Sequence, residues 1–356
     1  MTRIRAKEAD FVRPADVDPE AIVSVFRVPP EAAGMRLDLF LQSQLRRTSR
    51  SRTQQIIALS AYDDTGKHLR GSDRVRSFAY ILLWRAPWDE TPVPQEIPIL
   101  YEDDHILAVD KPAGLPVHPT ARYHKNTLIK MIEAARPGAY LHLAHRIDRE
   151  TSGVLLLAKN HQCDRTLKKQ FEERDEVEKT YVALTWGNPL NNPQLSVQNT
   201  TTGTGSFRHV QPLELDRASR FKVKMRVAKP ESPNALHAST VFHVEDSREK
   251  DGKLYARVSC NLETGRQHQI RVHLASLGTP IVGDKLYGPD ETAFARGADG
   301  ELTPEDEALL ELPRHALHAM KMRLRHPITG ESLTIDAPLP SDLAAFWKSL
   351  APIKVS

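Results

Sequence analysis

The stretch LHLAHRIDRETSGVLLLAKN, from Leu141 to Asn160, sets a short polar segment between two apolar runs. The second run, residues 154–157, predicts a buried strand. Asp148 lies in the polar segment just before this strand, where a fold can hold its carboxylate in position. If the segment is extended, Arg146 and Asp148 share one face, because side chains alternate along an extended chain. The stretch therefore predicts a positioned carboxylate at the edge of a buried strand.

Length and composition favour a protein with one large and one small domain. The chain has 356 residues, of which 40% are hydrophobic, which is enough for a sizeable core. Its two cysteines, Cys163 and Cys260, argue against a disulfide framework or a cysteine-built metal site. Residues 1–19 are rich in charge and do not resemble a signal peptide, and no run of about 18 apolar residues occurs. We therefore expect a cytoplasmic protein with no membrane partner.

The distribution of charge is more informative than the small net charge of +3. Between residues 34 and 57 the only acidic residue is Asp38, whereas five are arginines. Apolar residues spaced from Leu37 predict a helix there, and Ser49 offers an N-cap for a second short helix. This segment therefore predicts one basic surface. Its arginines are Arg36, Arg46, Arg47, Arg50 and Arg52.

Changes in composition divide the chain into four segments. Residues 1–20 are polar and are expected to be disordered. Residues 21–84 predict a compact α+β domain, and the proline-rich residues 85–97 predict a stiff, extended linker. The main domain is expected to span residues 98–350.

The main domain is predicted to have an α+β fold, in which a mainly antiparallel mixed sheet is flanked by helices. Short strands dominate the pattern, without the regular alternation of a βαβ repeat. Residues 189–233 predict a long irregular insertion. The predicted strands include 106–109, 154–157 and 256–262, and the predicted helices are 127–133, 162–174 and 267–277.

Several stretches resemble one known family. The segment HRIDRETSG resembles the active-site motif of the RluA family of RNA pseudouridine synthases, usually HRLD-x-x-TSG, with Ile147 as a conservative departure. The stretches ILYEDDHILAVDKPAGLPVHPT, EKTYVALTWG, LETGRQHQIRVHLASLGTPIVGDKLYG and RHALHAMKMRLRHPITGESLTIDAPLP resemble further blocks of that family, in the same order. Near the N-terminus, MRLDLFLQSQLRRTSRSRTQQII resembles the alpha-L RNA-binding domain. The resemblance implies isomerisation of uridine to pseudouridine in RNA, without a metal or cofactor.

The resemblance also implies the catalytic residues. Asp148 matches the family's indispensable aspartate, which could attack the anomeric carbon or remove a sugar proton to give a glycal. Tyr181 could stack on the flipped base and take the proton from carbon 5. A phenol with a pKa of about 10 would need a nearby positive charge for that task. Arg271 lies beside the apolar face of its predicted helix, so it can reach inward and pair with Asp148.

Binding residues follow from the same blocks. Arg146 could bind an RNA phosphate or fill the space vacated by the extruded uridine. Arg266, Lys111 and Lys285 are further candidates for phosphate contacts, and each is equally compatible with a solvated surface. Ile270 and Leu274 could form an apolar wall against uracil, or they could be ordinary core residues. We expect ribosomal RNA as the substrate, with transfer RNA as a second possibility, and a monomeric protein.

Three other functions compete with this one. A non-catalytic RNA-binding or ribosome-assembly protein could retain the fold, although it would be expected to lack the Asp, Tyr or inward Arg. Three close histidine pairs suggest a metal-dependent hydrolase, but their spacing does not match a His-Glu-x-x-His helix. A glycosidase would require two working carboxylates near each other, and the second one here, Glu150, lies in a polar turn. Asp148 itself could simply cap the turn at residues 151–153.

Overall fold

The computed structural model of the protein describes residues 11–45, 48–86, 90–120, 122–173, 176–193 and 204–353. The chain divides into two compact units, residues 1–89 and 90–356. This boundary lies within the predicted linker, but the second half of that segment is part of the second unit. There Val93 is buried in the main core, and the Glu90 carboxylate accepts hydrogen bonds from the backbone N–H groups of residues 124–126. Beyond residue 89 the predicted stiff, extended linker is therefore packed on the second unit instead of connecting two domains.

The first unit has the predicted α+β composition. Its elements are β1 (Ile22–Arg27), α1 (Leu37–Gln44), α2 (Arg50–Ser60), β2 (Ala61–Asp63) and β3 (Tyr80–Arg85), with a 3-10 turn at Pro30–Ala32. The strands form an antiparallel sheet in the order β1-β3-β2. Leu37 and Leu41 of α1 are fully buried against Ile57 of α2, as the helical spacing predicts. The predicted N-cap is also present, since Ser49 Oγ accepts a hydrogen bond of 3.2 Å from the Arg52 N–H.

The predicted disordered tail, residues 1–20, is wrong for its second half. Phe11 and Val17 pack on the face of the small sheet that carries Trp84. The Tyr62 hydroxyl donates a 3.0 Å hydrogen bond to the Asp16 carboxylate. Burial of apolar side chains gives this segment a reason to fold that a purely polar tail lacks. Residues 1–10 lie outside the described part of the chain.

The second unit is built on a sheet that has 11 strands among the described residues. The strands of this unit are β4 (Ile99–Glu102), β5 (Ile106–Lys111), β6 (His142–Leu143), β7 (Ser152–Ala158), β8 (Glu178–Trp186), β9 (Gly205–Val210), β10 (Leu213–Leu215), β11 (Met225–Val227), β12 (Ser239–Lys250), β13 (Lys253–Leu262), β14 (Leu317–Arg325), β15 (Ser332–Asp336) and β16 (Ala351–Pro352). The helices are α3 (Leu128–Ala135), α4 (His161–Glu173), α5 (Gln269–Ser276), α6 (Ala293–Asp299), α7 (Pro304–Leu310) and α8 (Ser341–Ser349), with a 3-10 turn at Pro189–Asn191.

The topology confirms a mainly antiparallel mixed sheet. The strand order is β16-β12-β13-β8-β14-β7-β5-β4, with β15 on β14, β6 on β7 and β9 on β12. Within the described residues, β7 and β14 form the parallel pair and the other pairs are antiparallel. In β7, Leu155 and Leu157 face one core cluster, while Val154 and Leu156 face the other. Burial on both faces explains why this strand is a continuous apolar run.

The predicted irregular insertion at 189–233 is partly wrong. Residues 205–210 form β9, which pairs with β12 of the main sheet over six residues. Strands β10 and β11 form a separate two-stranded ribbon. These strands are only three to six residues long, so their periodicity is too weak to identify. Residues 194–203 lie outside the described part of the chain.

Candidate active site

Asp148 lies in the segment that joins β6 to β7, next to the parallel strand pair. The pair places Gly153 opposite Ala319 of β14. Gly153 has a φ of +109°, and a Cβ built there would lie 2.2 Å from the Ala319 carbonyl oxygen. Only glycine fits such a position without a shift of the backbone. This close approach fixes the point at which the Asp148 segment enters the sheet.

The ion pair expected between Asp148 and Arg271 is present. Arg271 Nη1 donates a 3.0 Å hydrogen bond to Asp148 Oδ2. The Arg271 side chain is 7% exposed, whereas that of Asp148 is 28% exposed. The arginine therefore approaches from the protein interior, and the carboxylate retains an open side.

Asp284 holds the other edge of the same guanidinium, and the sequence analysis missed it. Arg271 Nε donates to Asp284 Oδ2 at 2.6 Å, and Nη2 donates to Oδ1 at 2.8 Å. The Asp284 carboxylate is fully buried and also accepts the backbone N–H groups of residues 286 and 287. The sequence feature that could have identified Asp284 is its position as an acidic residue inside the apolar stretch TPIVGDKLYG. This bidentate contact orients Arg271 towards Asp148.

Electrostatics keep Asp148 ionised. Burial opposes its charge, but His268, Arg271 and His315 outweigh burial and lower the pKa of Asp148 to about 2. Burial, together with Arg271, lowers the pKa of His268 to about 4, so this ring is neutral at pH 7. Arg271 therefore supplies the positive charge that persists at neutral pH.

His268 is a second neighbour of Asp148 that the sequence analysis did not assign. It adopts a left-handed backbone (φ +56°) before α5, and its Nε2 lies 3.8 Å from Asp148 Oδ2. Its Nδ1 lies 2.8 Å from the Tyr287 hydroxyl, which itself accepts a hydrogen bond from Met225 N–H. This arrangement favours a Tyr287 hydroxyl that donates to Nδ1, and hence a neutral ring whose Nε2–H faces Asp148.

Tyr181 lies on β8, opposite Ala319 and hence close to the Gly153 turn. Its side chain is almost buried, at 7% exposed. Burial and the negative charge of Asp148 both raise the pKa of Tyr181. A base role would require a positive neighbour, whereas the charge that shifts the pKa of this phenol is the negative one of Asp148. At neutral pH Tyr181 remains a phenol.

The four predicted substrate-binding residues separate into two groups. Arg146 is exposed, and its charge contributes to the low pKa of His268 after burial and Arg271. Arg266 Nε donates to the His237 carbonyl at 3.0 Å. Of the two possibilities left open for Ile270 and Leu274, their burial favours ordinary core residues, since Leu274 is fully buried in the main core and Ile270 keeps only 4% exposure. The apolar face of α5 packs in the main core.

Two lysines considered for phosphate binding are internal. Lys111 is fully buried and donates to the carbonyls of Pro112, Leu115 and Arg149 at 2.8–2.9 Å. Burial lowers the pKa of Lys111 to about 7. Lys285 is 5% exposed and its ammonium lies 2.9 Å from the Glu150 carboxylate. Both lysines bind the backbone or side chains of the Asp148 segment, so neither is available to RNA.

Some arginines of the predicted basic surface of the first unit are already paired with a carboxylate of the protein. The Arg36 guanidinium donates two hydrogen bonds to Asp38, and Arg50 approaches the same carboxylate at 3.4 Å. Arg52 is exposed and donates to Gln55 at 3.2 Å. Arg36 and Arg50 therefore neutralise an internal acid as well as facing solvent. Arg46 and Arg47 lie outside the described residues.

Two of the three histidine pairs, His268 with His273 and His315 with His318, contact hydroxyl groups. His315 Nε2 lies 2.8 Å from Thr151 Oγ1, and His318 Nδ1 lies 2.9 Å from Ser152 Oγ. In the described part of the chain, no group of three or more His, Cys, Asp or Glu side chains is arranged to hold a metal ion. Glu150 is paired with Lys285, and its pKa is lowered because Lys285 and His315 outweigh the effect of burial. It therefore lacks the raised pKa of a glycosidase acid.

Comparison with known proteins agrees with this geometry. A family model described as RNA pseudouridylate synthase matches residues 105–276. The chain is 35% identical to a ribosomal large subunit pseudouridine synthase D from Xanthomonas campestris, covering 91% of each chain. It is 31% identical to the protein of the same name from Nitrosomonas europaea, covering 91% of this chain and 86% of the other.

Solved structures show the same fold. Human RNA pseudouridylate synthase domain containing 4 is 28% identical, with a TM-score of 0.50, over 69% of this chain and 90% of that one. Human RNA pseudouridylate synthase domain containing 1 shares the fold at 24% identity and a TM-score of 0.55, over 74% of this chain and 91% of that one. With its motifs in order and a relative above 30% identity along nearly its whole length, the chain belongs to the RluA family of RNA pseudouridine synthases.

Proposed function

We propose that Asp148 is the catalytic residue of this isomerase and acts directly on the ribose of the target uridine. One observation carries the proposal: an ionised carboxylate is held through one oxygen and open at the other. Oδ2 accepts from Arg271, while Oδ1 accepts no hydrogen bond from the described residues. Such a carboxylate is oriented by the protein and still able to meet a substrate.

The reaction needs no redox partner. The bond between uracil N1 and ribose C1′ breaks, the base turns, and C5 joins C1′. The hydrogen from C5 is lost and N1 gains one, so the atoms balance. Asp148 serves either by forming and releasing an ester at C1′ or by removing and returning a sugar proton. Both routes require the ionised form that Arg271 stabilises.

Tyr181 is proposed to cover the flipped base. Its almost buried ring lies close to the Gly153 turn that positions Asp148, and its hydroxyl is a phenol at neutral pH. A phenol can donate or relay a proton, and it is a poor phenolate base. Arg146 and Arg266 are proposed to bind RNA phosphates beside the target. Extruding a uridine costs a few kcal/mol of unstacking, least where the RNA is already unpaired.

The proposed substrate is large-subunit ribosomal RNA. The names of the relatives from Xanthomonas campestris and Nitrosomonas europaea support this choice, and transfer RNA remains the second candidate. The basic helical segment of the first unit supports an additional RNA contact. The monomeric state and cytoplasmic location expected from the sequence remain part of this proposal.

Pseudouridine mapping of total RNA tests the proposal. The native gene is deleted and then restored as wild type or as Asp148→Asn. We expect one or a few sites in large-subunit ribosomal RNA to disappear and to return only with the wild-type gene. If the lost sites lie in transfer RNA, then transfer RNA is the substrate and the pseudouridine synthase activity still stands.

A non-catalytic RNA-binding or assembly role is the competing function. It predicts that Asp148→Asn restores growth and ribosome assembly as well as wild type does. It also predicts that purified wild-type protein leaves unmodified ribosomal and transfer RNA unchanged. The second result would remove Asp148 from its catalytic role, whereas the first would show only that growth depends on the protein and not on the modification.

A further inference from the structure

A cleft with a volume of about 840 Å³ lies beside the ribbon formed by β10 and β11. Residues of the ribbon, residues 233–236 and Gln267 line it. Asp148, Tyr181 and Arg271 are not among its lining residues, so the reaction described above does not use this space. Its volume falls in the range of about 300–1,000 Å³ typical of small-ligand sites. We call it the ribbon cleft.

The walls of the ribbon cleft combine positive charge with apolar surface. Arg217 and Lys229 are exposed, and among the residues that the structure describes neither side chain forms an ion pair, although the Lys229 backbone N–H donates to the carboxylate of Glu214, which also lines the cleft. Arg226 differs, because its guanidinium lies 2.8 Å from the Glu214 carboxylate. Leu215 and Leu236 also line the cleft and are 43% and 45% exposed. These walls suit a ligand with a flat apolar part and a negative charge.

Hydrogen bonds connect the ribbon cleft with the catalytic carboxylate. Met225 lines the cleft and its N–H donates to Tyr287, whose hydroxyl contacts His268 at 2.8 Å. His268 in turn lies 3.8 Å from Asp148. Gln267, the residue before His268, donates to the Val223 carbonyl of the ribbon at 3.1 Å. An RNA strand whose target nucleotide lies at Asp148 therefore passes close to the ribbon cleft.

We propose that the ribbon cleft binds an unpaired nucleotide of the substrate RNA that neighbours the target uridine. Its base lies against Leu215 and Leu236, and its phosphate meets Arg217 and Lys229. The inference rests on the proposed function, because the ligand is part of the same RNA. Flipping a uridine disrupts the stacking of its neighbours, and proteins recognise RNA sequence mainly through such unpaired bases. The positive charges of Arg217 and Lys229 suit an RNA backbone. Because the cleft is connected to Asp148 by a short series of contacts, the nucleotide that it binds is a neighbour of the target.

The first test is RNA binding by the full chain with the double variant Arg217→Ala/Lys229→Ala. The probe is an unmodified transcript of large-subunit ribosomal RNA, titrated over a series of KCl concentrations. The slope of log K against log salt should fall by about 1.4, at about 0.7 per lost contact with a single strand. The matched control, Arg165→Ala/Lys169→Ala, removes the same residue types from the exposed side of α4 and should leave the slope nearly unchanged. Equal slopes for the two double variants would overturn the inference.

A second test uses the wild-type chain, so it does not depend on whether a variant folds. The transcript carries 4-thiouridine in place of uridine, and cross-linked peptides are identified by mass spectrometry. A thiouridine next to the modified site should cross-link to residues 213–236. Cross-links from that position only to other segments would refute occupation of the cleft by RNA.

Failure of this inference is distinguishable from failure of the proposed function. Pseudouridine formation by wild type on the same transcript reports the function, whereas the two cleft tests need only binding. If wild type modifies the transcript and the cleft variant binds like its control, the function stands and the cleft proposal falls. If only transfer RNA is modified, the same two tests on transfer RNA decide the cleft.

Discussion

Asp38 of the first unit and Asp148 of the second are both held by arginines, yet only one of them is left open. Asp38 is fully buried and accepts hydrogen bonds at both oxygens, two from Arg36 and further ones from Arg50 and Gln54. Asp148 is 28% exposed and receives a hydrogen bond at Oδ2 from Arg271. In both cases the positive neighbours lower the pKa of the carboxyl group.

The difference lies in where the arginines come from. The arginines at Asp38 lie outside it and close it off from water. At Asp148 the arginine lies inside, fixed by Asp284, and leaves the outer side of the carboxylate free. A low pKa therefore does not distinguish an aspartate that is closed off from one that is open to a substrate. The direction from which the counter-charge approaches does.

The largest expected effect is on turnover, and it distinguishes the two carboxylates when each is replaced in turn. Asp148→Asn should lower turnover by at least about a thousandfold, because the amide is neither a nucleophile nor a base. Its RNA affinity and its free energy of unfolding should stay close to wild type. Single-turnover assays and binding titrations on the same transcript measure both.

Asp38→Ala is the matched variant on the other side of the comparison. It should keep its turnover per folded molecule and lose about 1–3 kcal/mol of stability, the usual effect of removing a hydrogen-bonded buried partner. Loss of turnover in folded Asp38→Ala, or substantial turnover in Asp148→Asn, would break the distinction between the two aspartates.

Asp284→Asn tests whether the fixed arginine matters. The substitution removes the counter-charge of a buried pair, which typically costs about 3–5 kcal/mol. In the molecules that remain folded, Arg271 is no longer oriented, and we expect turnover to fall by about 10- to 100-fold through misplacement of Asp148. Denaturant unfolding and single-turnover rates separate the two effects. Unchanged turnover in the folded fraction would show that Arg271 needs no support from Asp284.

Acid should affect the second unit before the first. Burial is the main cause that lowers the pKa of His268, His273 and His318 to about 4 and that of His315 to about 3. These folded values lie below the usual 6.5, so the unfolded chain binds more protons and stability falls as the pH drops from about 6.5 towards 4. When the folded and unfolded pKa values of one histidine differ by about 1, the free energy of unfolding changes by about 1.4 kcal/mol. The pKa of Asp38 is also lowered, but its contribution is lost only below about pH 3.8.

Hydrogen exchange resolved by segment at pH 7 and pH 5 measures this difference. Protection of β7 and β14 should fall, while that of α1 and α2 should hold. Equal loss of protection in both units would contradict the histidine explanation.

The smallest effect concerns the arginines of the first unit. Arg52→Ala should reduce the salt slope of RNA binding by about 0.7–0.9, as expected for one lost phosphate contact. Arg36→Ala should change the slope less, since its guanidinium already pairs with Asp38. Identical slopes for the two variants would mean that pairing with Asp38 does not reduce the contribution of Arg36 to RNA binding.

The sequence predicted the strand β7 and the helix α5 because each depends on a local pattern, whereas the Asp148–Arg271 pair followed from the family resemblance together with the inward position of Arg271 on its helix. Leu155 and Leu157 mark a strand by their apolar run, and Arg271 follows from helical spacing. The predicted helices and strands near residues 106, 128, 161 and 256 are present for the same reason. Periodicity is strongest where an element is long and buried.

The rest depends on contacts between distant segments, which a single sequence does not reveal. Asp284 and His268 belong to the same sequence block as Arg271, but their relation to Asp148 exists only after α5 packs on the sheet. Lys111 and Leu274 were compatible with exposed or buried positions until the fold placed them inside. The strands of the insertion are too short to give a clear period.

The residues that contact the Asp148 segment are translated much later than Asp148, and this delays assembly of the site during translation. Arg271 is made 123 residues after Asp148, and His315 is made 164 residues after its partner Thr151. At about 5–20 residues per second, the interval from Thr151 to His315 lasts roughly 10–30 s. A nascent chain therefore carries the complete motif without an assembled site. We expect a product that stops before β14 to be inactive, although it contains Asp148, Tyr181 and Arg271.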